Sequence, residues 1–224
     1  MAYVDELLGI ATGQNNANGR LYFSIFYKVK DDAFKSAALY WEQYVKRMEK
    51  FNPVQDVFLR FEVLTESEFK QAWLQVQGVA KAKRLQVAAA NLLTHASKQS
   101  NGKDGLEFKG SASENGTLEV AEIRTLPRLP WVKNSYLILS GCNTGIVGTR
   151  GWCPAQVFSQ TQKVHTLGQQ GYAYFSKKWE QYVEKGAADT GIYLWAYKHR
   201  RNAEYLGIGS AEVRLKAKLF RAPL

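Results

Sequence analysis

The run Leu21-Tyr22-Phe23-Ser24-Ile25-Phe26-Tyr27 is rich in β-formers and nearly continuous in apolar character. A strand with one wet face would alternate; an unbroken run belongs in a sheet covered on both faces. The next segments fit such a sheet. Phe34, Ala37, Ala38, Trp41, Val45 and Met48 recur at helical spacing, and Asn52-Pro53 stops the pattern. Val57, Leu59, Phe61 and Val63 then alternate through a second strand, and Thr65-Glu66-Ser67-Glu68 is a capping-box pattern that opens a helix through Phe69, Ala72, Trp73, Val76 and Ala80. Strand and helix in alternation predict an α/β fold: a three-layer sandwich with a central, mostly parallel sheet flanked by helices, its ligand site at the strand carboxyl ends.

The rest of the chain is read in the same terms. Leu85 to Thr94 has helix-favouring alanines, but its place after a strand and a helix makes it a third parallel strand. Gly105 to Lys109 and Thr117 to Val120 resemble a small hairpin standing off the sheet, with a short helix containing Leu126 after it. Tyr136 to Ser140 reads as another buried strand. Pro154 is placed to open a helix through about Leu167, with Gly168 and Gly171 beyond it. Tyr172 to Ser176 and Ile192 to Tyr197 are further strand candidates, and Val213 to Leu219 alternates apolar and basic residues as a half-exposed edge strand.

At 224 residues and 46% hydrophobic content the chain suits one large α/β domain, here residues 20–224, preceded by a polar, Gly- and Asn-rich arm within 1–19. The first residues lack a basic n-region and a useful h-region, and no apolar run approaches about 18 residues, so no membrane association is expected and synthesis in the cytoplasm is. Cys142 and Cys153 are too few for a disulfide framework. The formal charge of +10, concentrated late at Lys198, Arg200, Arg201, Arg214, Lys216, Lys218 and Arg221, is first of all a solvated basic surface.

Two strand ends carry the chemistry. Leu92-Leu93-Thr94-His95 ends an apolar run in an imidazole, and Tyr136-Leu137-Ile138-Leu139-Ser140-Gly141-Cys142 ends one in a thiol among small residues. Peptide hydrolysis needs a nucleophile stronger than water, and a thiolate serves when an imidazole manages the protons. The bland alternative is an ordinary buried thiol and a strand-end histidine. Little bulk at Gly141, Asn143, Thr144 and Gly145 would let a substrate backbone approach, with the Cys142 and Ala96 amides as candidate oxyanion donors. Cys153 is read as a structural thiol. Zinc would need about four ligands, and only three histidines exist, so neither a metal nor another cofactor is expected.

The order of a strand ending in His95, a small hairpin, a short helix and a strand ending in Ser140-Gly141-Cys142-Asn143-Thr144-Gly145 resembles the caspase-like cysteine peptidases, including gingipain, clostripain and CHAT-domain relatives. Cys142 lies 47 residues after His95, near the spacing of about 50 found in caspases. The motifs look closest to bacterial members. The resemblance implies Cys142 as nucleophile, His95 as general acid/base and backbone amides at Ala96 and Cys142 as the oxyanion hole. It implies Tyr174 and Ser176 along a groove that takes an extended peptide. Asp31 and Asp32 either line a pocket for a basic P1 side chain or simply cap the first helix; Arg150 is the rival for an acidic one. The caspase Gln-Ala-Cys-Arg-Gly pattern is absent, and Ser140 stands where Arg-specific relatives have aspartate, which leaves P1 unassigned.

The partners implied are a protein or peptide substrate and an inhibitor, immunity or activating protein, in the manner of a toxin or effector delivered by a signal-peptide-independent route such as type VI secretion. Nucleic acid is not an expected partner under this reading. The alternative is a catalytically inactive module of the same fold whose basic carboxyl-terminal surface holds nucleic acid or an acidic protein.

Overall fold

The computed structural model describes residues 19–28, 30, 32–48, 50–97, 105–113, 115–147, 153–173, 195–197 and 214–223. A six-stranded sheet organises them. Its strands are β1 (Arg20–Tyr27), β2 (Val57–Val63), β3 (Gln86–Leu93), β7 (Trp131–Leu139), β8 (His165–Gly168) and β11 (Lys218–Phe220), in the order β11-β8-β7-β3-β1-β2. All neighbours run parallel except β11, which is antiparallel to β8.

Helices cover both faces, as the unbroken apolar runs require. Helix α1 (Ala33–Met48) buries Phe34, Ala37, Ala38, Trp41 and Val45 against Tyr22, Phe26, Ala89, Leu93 and Ile138. On the other face α2 (Glu66–Lys83) and α4 (Pro154–Gln162) pack Phe69, Trp73, Val76, Val157 and Phe158 onto Leu21, Phe23, Ile25, Leu92, Leu137 and Leu139. Trp73 is fully buried yet satisfied, because its indole N–H donates to the Pro127 carbonyl at 2.9 Å. Three layers result, and among the described residues no helix is long and apolar enough to cross a membrane.

Local signals explain the element boundaries. Thr65 caps α2 with a reciprocal capping box to Glu68, and Arg84 closes the helix in the left-handed region at φ 55°. Buried Asp56 accepts the backbone N–H groups of Arg20 at 2.7 Å and Asn52 at 2.8 Å, and pairs with the Arg20 guanidinium at 2.9 Å. That carboxylate ties the start of β1 to the loop leading into β2.

Several expectations need correction. The helix opened by Pro154 ends at Gln162, not near Leu167: Lys163 turns left-handed (φ 56°) and His165–Gly168 becomes a sheet strand, since β7 offers an unpaired neighbour. The short helix is α3 (Val120–Ile123), and Leu126 lies after it. The hairpin β5 (Gly105–Glu107) and β6 (Thr117–Glu119) gains a third strand, β4 (His95–Ser97), which carries the histidine itself. The basic strand near the carboxyl end is two: β10 (Arg214–Lys216) pairs with β9 (Trp195–Tyr197), and after Ala217 the chain joins the central sheet as β11. Of the arm at 1–19, residues 1–18 lie outside the described residues.

Candidate functional site

Register sets the ends of β3 and β7 side by side. In the β3–β7 ladder Asn91 is opposite Ile138 and Leu92 is opposite Leu139. The pairing persists beyond the strands, because the Ser140 N–H donates to the Leu92 carbonyl at 2.8 Å. Past that bond the two chains leave the ladder: His95 opens β4 of the small sheet, and Cys142 lies in the turn after β7. Leu93 belongs to the α1 side, and the His95 ring meets Phe34 of α1 there.

Packing holds the two segments together. A methyl group built on Gly141 would lie 3.0 Å from the Thr94 carbonyl oxygen and 3.1 Å from the Ala96 Cβ. The residue before Cys142 is therefore wedged against the two residues that flank His95, and only a glycine permits that approach. Ala96 is buried and pairs with Leu106 of β5.

His95 is exposed, and its ring is held between two aromatic side chains, Tyr27 at 5.8 Å and Phe34 at 5.0 Å between centroids, both edge-on. Tyr27 ends β1 and Phe34 sits in the first turn of α1, so the imidazole is steered by the element next to β3. Cys142 is half-buried and its thiol lies 3.9 Å from the Ala173 carbonyl, beyond β8. The segment after β8 is thus the near wall of the thiol.

The loop after Cys142 is set by Thr144, which is fully buried. Its hydroxyl is 3.0 Å from the carbonyls of both Leu139 and Gly141 and accepts the Gln169 N–H at 3.0 Å. Its carbonyl receives the Ala155 N–H at 3.1 Å. Asn143 takes the left-handed conformation (φ 59°) and donates its N–H to the Gly171 carbonyl at 2.8 Å, while Gly145 donates to that of Gln169 at 2.8 Å. Gly145 and Gly168 meet backbone to backbone: a Cβ on Gly145 would fall 2.4 Å from the Gly168 oxygen. The turn carrying the cysteine is fastened to β8 and the residues just beyond it.

Beneath it, Ser140 and Asn91 are fully buried, and the Ser140 hydroxyl donates to Asn91 Oδ1 at 2.7 Å. Ser140 is therefore committed inside the sheet layer. Sequence reading took Thr144 only as a residue of little bulk and did not pair Ser140 with Asn91; the signal for that pair is a polar residue within each of two otherwise apolar runs.

The remaining candidates divide plainly. Asp32 is exposed, adopts φ 56° and offers its carbonyl to the Ser36 N–H at 2.8 Å, so its backbone starts α1 two residues before the Phe34 that touches His95. Asp31, Arg150, Tyr174 and Ser176 lie outside the described residues. Cys153 is buried, with its thiol 3.9 Å from the Thr144 carbonyl, and burial pushes it up from the usual thiol range. A thiol so held is a packing group. His165 begins β8 rather than lying in a helix. Its Nδ1 accepts the Ala222 N–H at 3.0 Å, and burial, then the Arg221 charge, holds its pKa below the ordinary 6.5.

Comparison with protein-family models, with curated proteins and with solved structures found no match.

Proposed function

We propose that this chain is a caspase-like cysteine endopeptidase in which Cys142 attacks and His95 transfers protons. The observation that carries the reading is that Gly141, the residue before Cys142, packs against Thr94 and Ala96, which flank His95, just past the carboxyl ends of the adjacent parallel strands β7 and β3. The element order supports it too: β3, the small sheet containing His95, the short helix α3 and β7 ending before Cys142 come one after another as the resemblance leads one to expect.

The chemistry follows from the residue types. The Cys142 sulfur, its proton passed to the imidazole, adds to the scissile carbonyl carbon, and the oxygen's negative charge is met by the amides near Cys142 and Ala96. Collapse breaks the C–N bond while His95 returns the proton to the departing amine, leaving a thioester. Water, giving a proton to His95, then releases the acid and restores the thiol. The clasp of Tyr27 and Phe34 limits where the imidazole can turn, which is the positioning that such transfers need.

The test is cleavage of a proteome-derived peptide library by wild type and by Cys142→Ala, with new amino termini read by mass spectrometry. Cleavage by wild type alone supports the proposal. No cleavage by either, together with steeply salt-dependent nucleic-acid binding, would favour the inactive binding module instead.

A further inference from the structure

At the amino ends of β3 and β7, the end of the sheet away from His95 and Cys142, an open groove of about 740 Å³ runs between α2 and the segment leading into β7. Its lining is mixed: Leu74, 53% exposed, with Leu85, Leu129 and Trp131 supplies the apolar part, and Gln77 adds a polar side chain whose amide donates to the Arg128 carbonyl. Its rim holds three exposed cations, Lys81, Arg84 and Arg128, and no carboxylate is among the described lining residues.

Gly78 makes the groove informative. It lies in the interior of the 18-residue helix α2, where glycine is the least favoured residue but proline. A side chain there would touch nothing: no atom lies within 4 Å of a Cβ built on it. No positive φ demands it either, since Gly78 is not among the residues with one. Nothing within the described chain accounts for the glycine, and its bare backbone faces the groove.

We infer that this groove docks an acidic peptide segment of a partner protein, with a large apolar side chain seated between Leu74 and Trp131 and carboxylates reaching Lys81, Arg84 and Arg128. Gly78 lets the peptide approach the helix closely. Charge complementarity selects the sign, and the apolar part of the lining selects a peptide over a phosphate backbone. Two carbonyls of the last turn of α2, Ala80 and Lys81, already accept the N–H groups of Arg84 and Leu85. The three cations are matched by a ligand that brings acceptors to them. The site does not depend on the peptidase reading.

The experiment is selection of a phage-displayed random dodecapeptide library on the intact protein, and then titration of a synthetic enriched peptide. Peptides combining Asp or Glu with Leu, Phe or Trp should be enriched. Their affinity should fall about tenfold or more in Lys81→Glu/Arg84→Glu/Arg128→Glu and in Gly78→Trp. The single exchange Arg128→Gln, which leaves the fold untouched, should weaken binding in the same direction. Gly78→Ala should raise the melting temperature by about 2–4 °C, as replacing glycine within a helix does where there is room. Absence of acidic enrichment, equal affinity across the variants, or selective binding of oligo(dT) in place of peptide would overturn the inference.

Discussion

Gly141→Ala puts the contact between the His95 and Cys142 segments to a quantitative test. The added methyl would meet the Thr94 oxygen at 3.0 Å, the Ala96 Cβ at 3.1 Å and the Thr144 Cγ2 at 3.1 Å. Carbon–carbon contacts are comfortable at about 3.5–4.0 Å, so the two methyl contacts are short by roughly 0.4 Å. Two of the three obstacles belong to the segment that carries His95, and Thr144 cannot yield because its hydroxyl and carbonyl hold the turn. Relief must come from separation of the two strand ends. Overpacking of this kind costs about 1–3 kcal/mol. At about 2–4 °C per kcal/mol for a chain this size, melting should fall by several degrees. Ala96→Gly should restore part of the loss in the double variant, giving a coupling of about 0.5 kcal/mol or more. The assay is urea unfolding of the four proteins of the cycle. A Gly141→Ala protein as stable as wild type, or strictly additive effects, would refute the claim that Gly141 is wedged against Thr94 and Ala96.

Three further outcomes are expected from the structure. Iodoacetamide should modify Cys142 in the native protein while Cys153, buried and with its thiol pushed up, reacts only on unfolding; peptide mapping by mass spectrometry shows which. His165 has its pKa lowered in the fold, so its contribution is present above the ordinary 6.5 and is lost as pH falls through the lowered value; wild type should lose more stability than His165→Gln between neutral and mildly acidic pH in thermal scans. Asp56→Ala should cost about 3–5 kcal/mol in urea unfolding, since it takes the acceptor from two backbone N–H groups and the carboxylate from the Arg20 guanidinium, which keeps the Lys50 carbonyl.

The sheet was legible because its strands differ in kind from its helices: Leu21 to Tyr27 could not be wet on either face, and Phe34 to Val45 could face the core on one side only. The capping box at Thr65 and Glu68 fixed a boundary by local hydrogen bonding, which sequence records directly. Boundaries set by long-range pairing were hidden. His165–Gly168 is a strand because β7 lies beside it, and β4 exists because the hairpin offers it an edge to pair with. The site divides the same way. Cys142 and His95 stood out by chemistry, whereas Thr144, Asn91 and the Gly145–Gly168 contact matter only once β7, β3 and β8 are side by side.

The proposed pairing of Cys142 with His95 is tested most directly by the rate at which a mixture of peptidyl acyloxymethyl ketones, spanning all P1 residues, labels Cys142 in wild type and in folded His95→Ala. The account predicts labelling of wild type at Cys142 and a fall of about a hundredfold or more without the imidazole. Equal rates in the two proteins would contradict it.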